Sequence, residues 1–395
     1  MRPRSIAESF DPRRNALNFL RLLLASAVIV SHAIALGGFG DERIVGNATL
    51  GDVAVDGFFG ISGFLIARSA TTTPSVARML WKRFLRIYPG MWVCLIVVAF
   101  VIAPIGWAHE HPGVPLSGYL HSGGGPFAYL AGSFSAVAFL AIPRHVVLAP
   151  LTAIAGSPSS VPLPGSWSGQ LWTIQWEIVC YGLLAAFAAT RLIRRREAVL
   201  ILGAAVWLLA LVNYRHPGAV PGFWLAPLRL VPDFMAGAAL YLYADRVPDS
   251  KRLLALAGAI FAVGLLLPNP DSADILCGPP IAYIAIWLGV RLPLTRLGRR
   301  TDLSYGVYIY GFPVQQLLAV YGVQRWGYAP YLALALAITY VLALLSWRGV
   351  EAPAMRLRER RPLGSRRRTS PATSRALPEP APVRDQGHGS VPIHW

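Results

Sequence analysis

Residues 91–108 read Met91-Trp-Val-Cys-Leu-Ile-Val-Val-Ala-Phe-Val-Ile-Ala-Pro-Ile-Gly-Trp-Ala108, a run without one charged side chain. A helix that crosses a bilayer needs roughly 20 such residues. Outward from this run, comparable stretches occupy 16–38, 51–70, 89–108 (which contains it), 171–190, 198–213, 222–244, 253–268, 275–292, 303–322 and 330–349. They predict an all-α polytopic membrane protein with about ten transmembrane helices. The composition agrees: of 395 residues, 55% are hydrophobic and only 14% charged, with a mean hydropathy of +0.49. An ordinary soluble domain carries about 25% charged residues. A cytosolic enzyme, a disordered chain, a collagen and a disulfide-stapled scaffold are therefore excluded. Cys94, Cys180 and Cys277 are odd in number, far apart and set in apolar runs, so neither a disulfide framework nor a metal site is expected.

The net charge of +17 would suggest nucleic acid in a soluble chain. Its placement gives a different reading. With the N-terminus in the cytoplasm, thirty of the 36 Lys and Arg residues fall on inner connections, adjoining helix ends and the tail. Only Arg43, Arg144, Arg215 and Arg325 fall on outer connections. This asymmetry follows the positive-inside rule and predicts that both termini are cytoplasmic. Membrane lipids, not nucleic acid, are the expected surroundings. The first stretch exceeds the 7–15-residue core of a signal peptide and carries Arg21 and His32, so it reads as a retained helix. Three regions follow: a cytoplasmic segment 1–14, a transmembrane domain 15–352 and a basic, Pro/Arg-rich tail 353–395. The tail is expected to be disordered and drawn to the anionic inner leaflet. In the long outer connection 109–170, Phe127–Ile142 reads as an interfacial or re-entrant element. A single extra span there would put Arg191, Arg194, Arg195 and Arg196 outside.

Ionisable groups inside a bilayer are costly and mark candidate functional sites. Arg21 and His32 are eleven residues apart, almost three helical turns, so they share a face about 16 Å apart along the axis. The plainer alternative is a snorkelling arginine and a packing histidine. Asp56 and Glu177 lie five or six residues into their stretches, roughly 8–9 Å from the outer side and close to His32 in depth. Either can hold the imidazole in one tautomer and stabilise its cation. Asp52 reads as an outer N-cap, and Arg229 and Asp233, spaced i,i+4, as neutralising each other within one helix. Arg83 and Arg86, i,i+3 in the inner loop Arg78–Pro89, can jointly grip phosphate oxygens, or simply flank a span. His109-Glu110-His111 is too isolated a pair of histidines to argue for a metal.

Several segments then line up in order. They are Asn18-Phe-Leu-Arg21 with His32, Val55-Asp-Gly-Phe-Phe-Gly-Ile-Ser-Gly-Phe-Leu65, Arg83-Phe-Leu-Arg86-Ile-Tyr-Pro89 and Leu171-Trp-Thr-Ile-Gln-Trp-Glu177. Leu303-Ser-Tyr-Gly-Val-Tyr-Ile-Tyr310 and Val350-Glu-Ala-Pro353 complete the set. Over about residues 14–353 this pattern resembles the acyltransferase-3 family of membrane O-acyltransferases. The resemblance implies an acyl-CoA-dependent enzyme of the bacterial inner membrane. It would move an acyl group, usually acetyl from cytoplasmic acetyl-CoA, to a sugar hydroxyl of a surface polysaccharide, an exopolysaccharide or a lipid-linked glycan. It implies His32 as the catalytic residue, paired in motif with Arg21, and Arg83 and Arg86 on the coenzyme A. The reading of the residues adds Asp56 or Glu177 in support of His32 and Arg21 on the coenzyme A phosphates. Trp172, Tyr181, Tyr305 and Tyr308 are the residues expected to bind substrate, and no resident cofactor or metal is implied. The family's late Y-L-x-H-x-P histidine is absent from Tyr308-Ile-Tyr-Gly-Phe-Pro313, which leaves the acceptor class open. Two alternatives stand beside this reading. One is acylation of a small secondary metabolite such as a macrolide. The other is a proton-coupled transporter or flippase relaying through His32, Asp56 and Glu177, which would be expected to carry an internal repeat; the sequence offers no convincing one.

Overall fold

The computed structural model of the chain describes residues 4–45, 48–121, 125–134, 160–162, 166–267 and 272–359. Each of the ten apolar stretches holds a helix. These are α1 (Leu17–Leu36), α2 (Leu50–Thr72), α3 (Val76–Glu110), α4 (Trp172–Ala189) and α5 (Arg196–Arg215). They continue as α6 (Leu225–Leu242), α7 (Lys251–Leu266), α8 (Gly278–Arg291), α9 (Ser304–Val320) and α10 (Tyr328–Arg356). Among the described residues, seven helices are long and apolar enough to cross a membrane: α1 to α6, with α4 counted from Gly169, and α10. Helices α7, α8 and α9 have 16, 14 and 17 residues. At 1.5 Å per residue they fall short of a 30 Å hydrocarbon core when taken alone. The protein is thus an all-α membrane protein, with a two-stranded hairpin (Arg43–Val45 with Ala48–Thr49) beyond the end of α1.

Two helices run further than their apolar stretches. Ser75 caps α3, so Arg78–Tyr88 is not a loop but the first turns of that helix, with Pro89 inside it. α3 passes through a π turn at Val98–Ile102, and α10 passes through one at Trp347–Glu351 before ending at Arg356. The tail from residue 360 lies outside the described residues. In the outer connection, Pro126–Ser133 is a short helix. Phe127 meets Phe100 edge-on, with centroids 5.8 Å apart, and Phe134 stacks on Trp92 at 4.5 Å. The chain therefore runs alongside α3, away from its Glu110 end, for about 12 Å. The remainder of the expected Phe127–Ile142 element lies outside the described residues.

One end of the bundle gathers the N-terminal segment, the 245–250 connection and the end of α8. Ser9 Oγ donates to Asp249 at 2.6 Å, and Arg291 Nη2 donates to the same carboxylate at 2.5 Å. This is the basic end. The hairpin lies at the far end.

α2 is the central helix, packed against α1, α4, α6 and α8. Its most apolar window is 72% buried, against 6% for α5 at the periphery. Glycine makes this packing sterically feasible. A Cβ at Gly63 would lie 1.9 Å from the Phe234 carbonyl oxygen, and one at Gly237 would lie 1.9 Å from that of Gly60. α2 and α6 therefore meet backbone to backbone, as small residues permit in membrane bundles. Gly63→Ala should destabilise the detergent-solubilised protein by about 1–3 kcal/mol, the range for overpacking a filled contact. Gly182→Ala, where a new Cβ would meet nothing within 4 Å, serves as the control. Equal unfolding temperatures for the two variants would contradict this account of the α2–α6 contact.

Candidate active site

α1 brings Arg21 and His32 to one face, about 16 Å apart. Antiparallel neighbours set the level of everything else. A Cβ at Gly51 of α2 would meet Ser31, and one at Gly57 would meet Leu24, so Ser62 falls near the level of Leu20 and Arg21. Along α4 and α9, Gly169 faces Phe312 and Thr173 Oγ1 bonds the Tyr308 hydroxyl at 2.5 Å. Glu177 and Tyr305 then share a level two turns nearer the basic end.

At that level lies a small, partly open cavity of about 40 Å³. Its polar wall comprises Arg21, Ser62, Thr173, Glu177, Ser304, Tyr305 and Tyr308, and its apolar wall Val55, Phe58, Phe59 and Ile174. Arg21 donates to Asp302 at 3.3 Å, but its Nε is buried with no hydrogen-bond partner. Arg83 Nε is also buried and unpartnered, and its guanidinium lies 6.0 Å from the centroid of the Tyr181 ring. Arg83 makes no ion pair among the described residues. Arg86 is placed differently from the expectation that it contacts coenzyme A. It is buried, and its guanidinium is occupied by Asp302 at 2.7 Å, Glu351 at 3.4 Å and the Tyr305 ring. Although i,i+3 in sequence, Arg83 faces the cavity region while Arg86 ties α3 to α9 and α10.

His32 lies one turn beyond the cavity, edge-on to Phe312 with centroids 5.6 Å apart. Its acidic neighbour is Glu42, from the loop that folds back after α1. Glu42 Oε1 is 3.5 Å from His32 Nδ1, and Oε2 accepts from Ser31 Oγ at 3.2 Å. A carboxylate at that distance favours a proton on Nδ1, the tautomer in which Nε2 carries the free lone pair. Sequence reasoning missed Glu42 because it lies outside every apolar stretch. The available signal was Gly37-Gly38 ending α1, which lets the chain turn back over it.

The two acids expected beside His32 are elsewhere. Asp56 accepts from Arg229 Nε and Nη2 at 2.9 and 2.8 Å. Arg229 also reaches Asp52 at 2.7 Å and Asp274 at 3.4 Å, so its ion pairs run between helices rather than to Asp233 one turn along its own. The N-cap of α2 is Thr49, with Asp52 at the third position of a capping box. Glu177 accepts from Ser62 Oγ at 3.0 Å and from the Tyr181 hydroxyl. Its helix begins at the level of His32 rather than at the surface, which carries Glu177 past the histidine to the cavity. Tyr305 and Tyr308 line the cavity, Tyr181 backs it through Glu177, and Trp172 packs against the core. His109 lies tilted against Tyr321 and His111 stacks on Trp107, each at a separate place.

Asp302 lies outside the helices. Burial raises its carboxyl, but Arg86, Arg21 and Ser304 outweigh that and hold it below the usual carboxylate range. Such a group contributes stability above its unfolded pKa of about 3.9, lost as pH falls through the lower folded value. The difference in unfolding temperature between wild type and Asp302→Asn should thus stay flat from neutral to about pH 4 and narrow only in stronger acid. A gap already closed at pH 6 would exclude this role. Arg86→Gln leaves the buried Glu351 without a cation and Asp302 with Arg21 alone, and should cost about 3–5 kcal/mol. Thermal unfolding of the purified variant measures this, and an unchanged midpoint would return Arg86 to ligand binding.

Comparison with known proteins identifies the family. A family model described as "Acyltransferase domain", of the acyltransferase-3 type, matches residues 14–348. The "O-acetyl transferase" of Shigella phage Sf6 is 29% identical over 352 residues, covering 86% of this chain and 95% of that protein. "Nodulation protein 10" of Rhizobium leguminosarum bv. viciae is 29% identical over 379 residues, covering 89% and 96%. "Acyltransferase MdmB" of Streptomyces mycarofaciens is 26% identical over 415 residues, covering 93% and 97%. No solved structure matches. With the family model covering nearly the whole helical bundle, the chain belongs to the acyltransferase-3 family of membrane acyltransferases.

Proposed function

We propose that the protein moves an acyl group, acetyl in the simplest case, from cytoplasmic acyl-CoA to a sugar hydroxyl of a surface or lipid-linked glycan. The observation that carries this reading is one helix with an arginine at a cavity and a carboxylate-backed histidine three turns on. The basic end faces the cytoplasm of a bacterial inner membrane, where thirty basic residues belong by the positive-inside rule. With ten crossings, both termini would lie on that side. The course of α9 supports this, because it runs from Asp302 among the arginines to Phe312 beside His32 and continues beyond.

In this mechanism Arg21 and Arg83 hold the coenzyme A phosphates, and the thioester arm extends along α1. The cavity ends at Tyr308 and Thr173, about 6 Å short of the Phe312 level. The arm displaces that hydroxyl pair to reach the histidine. His32 Nε2 takes the proton of the acceptor hydroxyl as its oxygen attacks the thioester carbonyl. The carbon–sulfur bond breaks, and the coenzyme A thiolate leaves with the proton from the imidazolium. Glu42 stabilises that cation through Nδ1.

His32→Gln keeps hydrogen bonding but cannot carry the proton, so transfer should fall at least roughly a hundredfold. Glu42→Gln should lower kcat by a smaller factor with little change in donor KM. A near wild-type rate for His32→Gln would make the histidine a packing residue and overturn the mechanism. The reading as a whole is tested with radiolabelled acetyl-CoA and membranes containing the protein. Label appearing covalently in glycan is expected, and proton-coupled uptake without covalent label would favour a transporter instead.

A further inference from the structure

Glu177 forms no ion pair within 4 Å among the described residues. Its Oε1 accepts from both Ser62 and Tyr181, while Oε2 has no hydrogen bond among the described residues. The residue is half-buried and lines the cavity. Neither Arg21 nor Arg83 forms an ion pair with it, although Arg21 shares the cavity and Arg83 lies over the ring of its partner Tyr181. The cavity is therefore polarised, with the unpartnered Nε–H of Arg21 on its wall, that of Arg83 behind Tyr181, and an acceptor-only carboxylate beside them. A phosphate oxygen against Glu177 would face like charge. That wall suits the part of a ligand that is uncharged and carries N–H or O–H donors, next to an anionic group held by the arginines. Val55, Phe59 and Ile174 opposite supply apolar contact for an aliphatic segment between those donors.

Resting on the acyl-CoA reading, we infer that Glu177 binds the pantoate hydroxyl and adjoining amide N–H of the donor's pantetheine arm, just beyond the phosphates. It is a donor-recognition residue rather than the acid of the histidine. Ser62 and Tyr181 position it by occupying Oε1, which leaves Oε2 for the ligand. The assignment separates donors by structure. Acetyl-CoA and S-acetylpantetheine both carry the pantoate hydroxyl and amide, whereas the acetyl thioester of N-acetylcysteamine carries neither.

The test compares kcat and KM for these three donors in wild type and Glu177→Gln, using the full chain in membranes. The charged acceptor becomes neutral with little change of shape, so KM for acetyl-CoA and S-acetylpantetheine should rise roughly tenfold at near-constant kcat. The N-acetylcysteamine thioester should be turned over with unchanged kcat/KM, which also shows that the variant is folded. An equal fall for all three donors would overturn the assignment and make Glu177 part of the fold or the chemistry. Unchanged KM for all three would overturn it as well. Wild-type protein that uses none of the thioesters would overturn the acyl-thioester reading itself, and this inference with it.

Discussion

The close approach of α2 and α6 governs the rest of the bundle. Helices in lipid gain little from exclusion of water, so their association relies on fitted contact between surfaces. Gly63 on α2 and Gly237 on α6 let the carbonyls of Phe234 and Gly60 sit where side chains would otherwise stand. That contact fixes the rotation of α2 about its own axis. Once fixed, Val55, Phe59 and Ser62, spaced i, i+4 and i+7, line the cavity, while Asp52 and Asp56 turn to Arg229. A central helix free to rotate would present neither set.

The site has two levels with distinct electrostatics. Near the basic end, Asp302 and Glu351 satisfy Arg86 and leave Arg83 unpaired, so positive charge is concentrated where the cavity lies. Three turns along α1, Glu42 gives the only side-chain carboxylate paired with His32 among the described residues. Between them, the hydroxyls of Thr173 and Tyr308 and the ring of Phe58 close the passage. Under the proposed function, this short partition separates the end that would bind phosphate from the end that would transfer the proton, and a flexible thioester arm would have to cross it.

Much of this was legible in the chain. Periodicity within one helix is a local property, so Arg21 and His32 fall on one face as their spacing demands. The apolar stretches likewise predicted the helices. What escaped was decided between elements. Asp56 and Arg229 pair across 173 residues of sequence, and an i,i+4 neighbour such as Asp233 cannot reveal that. Glu177 was misplaced in depth because α4 starts inside the bundle, under Trp167 and Ser168, rather than at the surface. Glu42 was invisible because a loop's return path depends on what it packs against. Arg86 looked identical to Arg83 until Asp302 and Glu351, late in the chain, claimed it.

Those long-range ion pairs bear on how the protein is made. Asp56 emerges with α2, but its partner Arg229 follows 173 residues later. At a ribosomal rate of about 5–20 residues per second, roughly ten to thirty-five seconds separate the two. Arg86 waits longer still, for Asp302 and Glu351 lie 216 and 265 residues downstream. During that interval the early helices carry charges that hydrocarbon does not accommodate. They must be retained beside the insertion machinery, in a wet or protein-lined setting, until the later helices arrive. Assembly of this bundle is therefore not stepwise partitioning of finished helices into lipid, but the delayed release of a set whose members become lipid-compatible together.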